Sequence, residues 1–128
     1  MLLQFSTSNF RSIKDEVTLS MVANSEVKEH EDWLCRAGSE NLLSVAAIYG
    51  ANAAGKSNIL NAMAVAIKLI RYSDLRGINN TLPEIAPFLF DEEMHTQPTR
   101  FDFIFVYKGK KYQYGFSADK YRIMEEYL

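Results

Sequence analysis

Eight consecutive residues carry the clearest chemical pattern in this chain of 128 residues. They are Gly50-Ala51-Asn52-Ala53-Ala54-Gly55-Lys56-Ser57, and they fit the phosphate-binding pattern G-x-x-x-x-G-K-[ST]. In such a loop the backbone N–H groups turn inward and form a concave site for an anion. The lysine reaches the β- and γ-phosphates of a nucleotide, and the serine hydroxyl coordinates Mg²⁺. Residues 50–57, here called the phosphate loop, are therefore predicted to bind a nucleoside triphosphate, with Ser57 as the magnesium ligand.

The residues on either side of the phosphate loop predict the elements that must position it. Residues 42–49 are short and mostly apolar, which is typical of a strand buried on both faces. Residues 58–71 are rich in helix formers and contain neither Gly nor Pro, so they predict a helix that begins at or just before Lys56. The helix is expected to be buried on nearly all sides, with a main stripe of Ile59, Met63, Ala66, Ile67 and Ile70. This order of strand, loop and helix favours a phosphate site over a glycine turn that only caps a helix.

Alternating apolar residues outside this unit predict antiparallel strands. Residues 2–21 alternate around a polar turn at 14–16, which predicts a β-hairpin containing Leu3 and Phe5. Residues 100–128 alternate with a period of two through three segments, which predicts a β-meander with aromatic side chains on one face. Residues 77–99 contain all three prolines and are predicted to be irregular. The prediction is one α/β unit over residues 1–128, with the strand, loop and helix at 42–73.

The charge balance, the cysteine count and the length of the apolar runs limit the classes of protein to which the chain can belong. Fourteen basic and 16 acidic side chains leave a net charge of −2, which gives no general attraction to nucleic acid or membrane. Cys35 is the single cysteine, so no internal disulfide is expected and a cytoplasmic location is predicted. The longest apolar run is too short to span a bilayer, so no membrane partner is expected.

The stretch Phe88-Leu89-Phe90-Asp91-Glu92 admits two interpretations. An apolar run ending in Asp-Glu is typical of a strand whose Asp holds Mg²⁺ and whose Glu polarises water. The run is short, however, and follows Pro87, which is a poor neighbour for a central strand. We therefore favour an edge strand followed by a turn. The alternative is a self-contained small kinase or NTPase with Asp91 and Glu92 as catalytic residues.

The basic turn of the meander and Arg11 also have two interpretations each. Lys108, Lys110 and Lys111 are favoured as a solvated hairpin tip above aromatic side chains that form the core. The alternative is a non-enzymatic nucleic-acid module, with the lysines on DNA or RNA phosphates and the aromatics stacked on bases. Arg11 is either a solvated arginine in a bend or a second phosphate contact that completes the cradle.

The stretch Asn9-Phe10-Arg11-Ser12, the hairpin, and the loop Gly-Ala-Asn-Ala-Ala-Gly-Lys-Ser-Asn with its apolar helix carry a family resemblance. They resemble the N-terminal lobe of ABC-type ATPase heads, the group that includes SMC, RecF and RecN proteins. The chain is most similar to AAA-family ATPases of the OLD-like and abortive-infection type, whose loop is typically G-A-N-A-S-G-K-S-N. The resemblance covers nearly the whole chain and implies a P-loop NTPase fold. Ala54 departs from the usual Ser, so one hydroxyl is lost while the backbone N–H remains.

The resemblance implies a set of nucleotide contacts. Arg11 would contact the nucleotide with Ser12 beside it, and Asn52 would lie near the γ-phosphate. The predicted nucleotide-binding residues are Arg11, Ser12, Gly50, Ala51, Asn52, Ala53, Ala54, Gly55, Lys56, Ser57 and Asn58. The chain has no N-K-x-D guanine signal, so ATP with Mg²⁺ is the expected ligand.

The resemblance also implies that more protein is needed for turnover. A signature segment, a convincing Walker B strand and a switch histidine belong to a C-terminal lobe in such heads, so the chain is expected to be an incomplete domain. ATP hydrolysis would require that lobe and a second head, as in a homodimer, in nucleic-acid-directed work such as DNA repair or phage defence. The chain itself is expected to bind ATP without turnover and to self-associate through exposed apolar surface.

Overall fold

The computed structural model of the protein describes residues 1–27, 30–72 and 81–128. In chain order the strands are β1 (Leu2–Ser8), β2 (Val17–Ser20), β3 (Cys35–Ala37), β4 (Glu40–Leu42), β5 (Thr99–Tyr107), β6 (Lys110–Ala118) and β7 (Ile123–Tyr127). The helices are α1 (Lys56–Tyr72) and α2 (Glu92–Thr96), and a 3₁₀ turn covers Glu31–Trp33. The predicted start of the helix at Lys56 is confirmed, whereas its predicted end at residue 73 lies outside the described ranges.

The predicted hairpin and the predicted meander join into one antiparallel sheet with the strand order β2-β1-β5-β6-β7. Phe5 of β1 lies opposite Leu19 of β2 on one side and Phe103 of β5 on the other. Further along the sheet, Phe101 lies opposite Phe116 of β6. Side chains of opposed residues fall on the same face, so this register gathers the aromatic residues on one side of the sheet.

Helix α1 packs on that aromatic face, and together they form the main core. The helix contributes Ile59, Ala62, Ala66 and Leu69, and the sheet contributes Phe5, Phe101, Phe103, Phe116 and Ala118. The interpretation of the meander aromatics as core is confirmed for these phenylalanines, since Phe101 is 1% exposed and Phe116 is 4% exposed. Burial of this surface is the main force that holds α1, and with it the phosphate loop, on the sheet.

A bulge in β1 gives the sheet a second, smaller core on its other face. Leu2 lies opposite Phe105 and Gln4 lies opposite Ile104, so Leu3 is an extra residue in the ladder. Leu3 therefore leaves the face of Phe5 and packs with Ala37 and Leu42 of the β3–β4 hairpin. A regular alternation would have placed Leu3 and Phe5 on the same face.

The prediction that α1 is buried on nearly all sides is wrong, because only one side of the helix is buried. The buried positions are Ile59, Ala62, Ala66 and Leu69. Ile67 and Ile70 of the predicted stripe are each 42% exposed, and Leu60 is 54% exposed. The physical reason is that the sheet covers one side of the helix, so only residues that recur every three or four positions on that side are buried.

The strand predicted over residues 42–49 is also absent. Strand β4 ends at Leu42, and the following residues, here called the approach segment (43–49), have no strand pairing within the described ranges. Val45 is 80% exposed and Tyr49 is 91% exposed. A strand buried on both faces needs paired strands beside it and a covering layer on each face. Within the described ranges, residues 43–49 pair with no strand and are exposed.

The stretch predicted to be irregular, residues 77–99, falls partly outside the described ranges, at residues 77–80. Its described part contains the short helix α2 and the first residue of β5, Thr99. Over the described residues, no helix combines the length and apolar character that crossing a bilayer requires.

Candidate phosphate-binding site

The phosphate loop turns directly into the first residue of α1. Ala53 has φ 63° and Gly55 has φ 83°, so the backbone passes twice through the left-handed region before the helix begins. Asn58 N–H donates to the carbonyl oxygen of Gly55 at 2.8 Å, which closes the first turn of the helix. The unpaired N–H groups and the positive end of the helix dipole therefore face the bend of the loop, where they can bind an anion.

Lys56 holds its ammonium against the loop itself. Its Nζ donates to the carbonyl oxygen of Gly50 at 2.9 Å and to that of Ala51 at 2.6 Å. A phosphate would have to replace these neutral carbonyl oxygens with its own charged oxygens, and the ammonium then gains an ion pair in addition to the hydrogen bonds. The Lys56 ammonium can therefore exchange the two carbonyl oxygens for phosphate oxygens by a short movement.

Ser12 lies against the phosphate loop, although it is 46 positions from Asn58 in the chain. The amide Nδ2 of Asn58 donates to Ser12 Oγ at 2.7 Å. A Cβ added at Gly55 would lie 3.3 Å from the same Ser12 Oγ. Glycine at position 55 therefore meets two demands, a positive φ and a close neighbour. Among the predicted site residues, the structure brings together Ser12, Gly55 and Asn58.

Ser12 and Arg11 belong to a tight turn that follows β1, here called the 9–14 turn. Phe10 and Ile13 form an isolated β-bridge across it, and Arg11 has φ 52°. Arg11 N–H donates to the carbonyl oxygen of Ala86 at 2.7 Å. The exposed Arg11 side chain places its guanidinium carbon 5.3 Å from the centre of the Phe10 ring. The structure thus puts Arg11 beside Ser12 and stacks its side chain on the turn.

Asn9, at the start of the same turn, is a residue that the sequence reasoning did not single out. It is 3% exposed, and its side chain hydrogen bonds to residues 88, 94 and 97. Its φ of 51° is in the left-handed region, which Asn tolerates better than most residues. An Asn directly after a strand and before a turn is the signal that could have found it.

A groove of about 550 Å³ lies beside the phosphate loop. The loop lines one wall with residues 54–56, and residues 12–15 and 17–19 line the other. This size is in the range of sites for small molecules and cofactors. A larger groove of about 730 Å³ runs along α1 and the aromatic face, but its lining is mostly apolar and includes no residue of the phosphate loop. The chemistry therefore favours the smaller groove for a nucleotide.

Asp91 has a structural role that the sequence interpretations missed. It is the N-cap of α2, where its Oδ1 accepts from Glu93 N–H at 3.0 Å, and its Oδ2 pairs with Lys14 Nζ at 2.6 Å. The hydrogen bond from Lys14 lowers the pKa of Asp91, and the same bond raises the pKa of Lys14. Asp91 is therefore held as a charged cap that ties the 9–14 turn to α2.

Both interpretations of residues 88–92 predicted a strand, and the structure has no strand there. Residues 89–90 form a bend in which Phe90 is 90% exposed, and residue 88 is in no strand. The edge strand is therefore absent, and so is the strand that a Walker B motif requires. Glu92 is exposed in the first turn of α2. The physical reason is local: Asp91 caps a helix, and a helix start cannot also be the end of a strand.

The basic hairpin tip lies at the other end of the sheet from the phosphate loop. Val106 N–H donates to the carbonyl oxygen of Met1 at 2.8 Å, so the tip is next to the start of β1. Ser12 follows the end of β1, a strand of 7 residues. At about 3.3 Å per residue the two ends of β1 are roughly 20 Å apart. The structure therefore does not bring Lys108, Lys110 and Lys111 to the phosphate loop, and the core phenylalanines are too buried to stack on bases.

One comparison with known proteins gives a match. The model of a family described as “AAA domain, putative AbiEii toxin, Type IV TA system” matches residues 45–128. No curated protein matches the chain. The matched range holds the phosphate loop, α1 and the meander, and it begins after the 9–14 turn.

Proposed function

Because the chain belongs to this AAA-domain family, whose model matches about two thirds of it, we propose that it is an ATP-binding lobe of a P-loop ATPase. The observation that carries the proposal is the contact of Ser12 with Gly55 and Asn58 at the N-terminus of α1. That contact joins the phosphate loop to the 9–14 turn, and residues of both line the groove of about 550 Å³.

The predicted nucleotide-binding residues in and around this groove then have roles that their chemistry allows. The N–H groups of residues 50–57 and the helix dipole hold the β- and γ-phosphates, and Lys56 neutralises their charge. Ser57, exposed in the first turn of α1, supplies a hydroxyl ligand to Mg²⁺. When bound there, Mg²⁺ would supply positive charge that offsets the negative charge of the phosphates. Arg11 would turn from Phe10 towards the phosphates and complete the cradle.

We further propose that ATP hydrolysis needs additional protein. Phosphoryl transfer to water requires a residue that orients the attacking water, and Asp91 is engaged with α2 and Lys14 instead. A C-terminal lobe and a second head, arranged as in ABC-type ATPases, would supply the rest of the site. The intact protein would then use ATP in nucleic-acid-directed work in the cytoplasm, such as DNA repair or phage defence, with DNA or RNA as partner.

Calorimetric titration of Mg-ATP into the wild-type chain and into Lys56→Ala tests the proposal. A hydrogen bond to a charged group contributes about 1.5–3 kcal/mol, so the variant should bind roughly 10- to 100-fold more weakly. Lys108→Ala is the matched control, since it removes one exposed lysine at the far end of the sheet and should leave the affinity unchanged.

Phosphate release followed in the same samples separates binding from turnover. Binding without release supports the proposed lobe of a larger ATPase. Release by the wild-type chain would contradict the need for further protein, and equal affinities of wild type and Lys56→Ala would contradict the assignment of the site.

A further inference from the structure

We infer that Asn9 is a positioning residue of the nucleotide site, which it shapes through Ser12 without touching the nucleotide. The inference rests on the proposed function for its biological meaning, but its geometric content stands on contacts of the chain alone. The 9–14 turn is held on one side by residues 86–97, here called the α2 segment, and touches the phosphate loop on the other. Asn9 makes most of the contacts on the first side.

The side chain of Asn9 is fully used and almost fully buried. Its Nδ2 donates to the carbonyl oxygens of Met94 at 2.9 Å and Gln97 at 2.8 Å. Its Oδ1 accepts from Phe88 N–H at 2.9 Å. Two carbonyls at the end of α2 and one N–H before its start are thus joined by one amide. These hydrogen bonds are partly buried, and backbone groups left without their partners there would cost free energy, so the α2 segment and Asn9 hold each other in place.

The backbone of Asn9 is fixed as well. Its N–H donates to the carbonyl oxygen of Lys14 at 3.0 Å, which closes the turn. Its carbonyl oxygen accepts from the buried Thr99 Oγ1 at 2.7 Å, at the start of β5. Because φ is positive at Asn9, most other side chains would strain the turn. Asn combines this tolerance with an amide that has two donors and an acceptor.

The fixed turn leads directly to the phosphate loop. Three residues after Asn9, Ser12 Oγ accepts from Asn58 Nδ2 and lies beside Gly55. Arg11 N–H to Ala86 and Lys14 to Asp91 add two more ties to the α2 segment. A shift of the turn would therefore move Ser12 relative to the helix N-terminus. Misplacement by about 1 Å is enough to weaken a preorganised site.

The test compares Asn9→Gly with Thr7→Val in the full chain. Glycine keeps the positive φ and removes the amide. Thr7→Val removes another buried hydrogen bond of β1, from Thr7 Oγ1 to the carbonyl oxygen of Arg100 at 2.9 Å, but leaves the 9–14 turn alone. Asn9→Gly should weaken Mg-ATP binding about tenfold, which corresponds to about 1.4 kcal/mol, whereas Thr7→Val should change it less than twofold.

Two readouts distinguish positioning from a loss of stability. In a Ser12→Ala background, Asn9→Gly should change the Mg-ATP affinity less than twofold, because it acts through Ser12. Without any nucleotide, the NMR signals of the Asn58 side-chain amide should shift in Asn9→Gly and stay in place in Thr7→Val. Should Asn9→Gly not fold, Thr99→Val removes the hydroxyl bound to the Asn9 carbonyl and should shift the same signals.

Unchanged Asn58 signals in Asn9→Gly and Thr99→Val would overturn the inference, and so would additive effects of Asn9→Gly and Ser12→Ala on affinity. A wild-type chain that binds no Mg-ATP would instead overturn the proposed function and the nucleotide role of Asn9. In that case the Asn58 signals still decide whether Asn9 places Ser12.

Discussion

The two flanks of the phosphate loop have similar apolar composition but different structures. After the loop, α1 buries Ile59, Ala62, Ala66 and Leu69 against the sheet. Before the loop, the approach segment has no strand pairing among the described residues and exposes Val45 and Tyr49. The difference shows that an apolar run indicates a need for burial but does not identify what will bury it.

The position of the loop is therefore set from the helix side and from the 9–14 turn. The approach segment contributes a hydrogen bond from Leu43 N–H to Met21 at 2.8 Å, close to β4. The contacts at the loop itself come from Ser12 and from α1. Among the described residues, these contacts hold the phosphate loop although no paired strand directly precedes it.

The largest expected effect contrasts one side chain from each flank. Ile59 is 7% exposed, so Ile59→Ala should lower the free energy of unfolding by about 3 kcal/mol through lost burial and a cavity. Val45 is 80% exposed, so Val45→Ala should change it by less than about 0.5 kcal/mol. Urea denaturation followed by circular dichroism measures both. Equal losses would break the comparison, because they would show that the approach segment is buried in solution.

A smaller effect should come from the junction of the loop and the turn. Gly55→Ala adds a Cβ at a positive φ and 3.3 Å from Ser12 Oγ. Gly109 has a φ of +75° and open space around it, so Gly109→Ala measures the backbone cost alone, about 1 kcal/mol. The same denaturation experiment should show a larger loss for Gly55→Ala, and only this variant should shift the Asn58 side-chain signals. Identical losses would mean that Ser12 does not press on Gly55.

The smallest effect concerns the ion pair on the far side of the turn. The pKa of Asp91 is lower in the folded chain than its ordinary value of 3.8, chiefly through the hydrogen bond from Lys14. The pair therefore stabilises the fold above that ordinary value, and the contribution is lost as the pH falls through the lower folded pKa. Asn can cap a helix as well as Asp, so Asp91→Asn removes the charge alone.

The variant should be slightly less stable than wild type at pH 7, and the difference should disappear in acid. Denaturation at a series of pH values measures this, with added salt as the control for screening. A difference that stays constant down to pH 2 would assign the effect to the cap and not to the ion pair.

Local patterns explain how much of the fold could be predicted from the sequence. The start of α1, the hairpin and the meander depend on periodicity and on turn residues close in the chain, and these predictions are confirmed. The approach segment and the exposed side of α1 depend on which other elements lie nearby. A single sequence does not contain that information, so the predictions of a buried strand and of a helix buried on nearly all sides were wrong.

The candidate site shows the same division. The G-x-x-x-x-G-K-[ST] pattern was evident from spacing, and the family resemblance placed Ser12 beside Arg11 among the predicted nucleotide contacts. The structure adds that Ser12 lies next to Gly55 and Asn58. The role of Asp91 was ambiguous because an Asp that caps a helix and an Asp that binds a metal ion can both follow a short apolar run. Asn9 was missed because its hydrogen-bond partners lie about 80 positions away, at residues 88, 94 and 97. These partners are backbone groups, which every residue type has, so the sequence does not reveal them.

The bulge at Leu3 constrains the number of residues in β1 more strictly than it constrains their identity. An apolar replacement at position 3 keeps two residues of β1 opposite one of β5, so both cores survive with modest repacking. Loss of that residue would make the ladder regular and leave the β3–β4 cluster without its side chain from β1. At this point of the chain a change in the number of residues is therefore more damaging than a change in their identity.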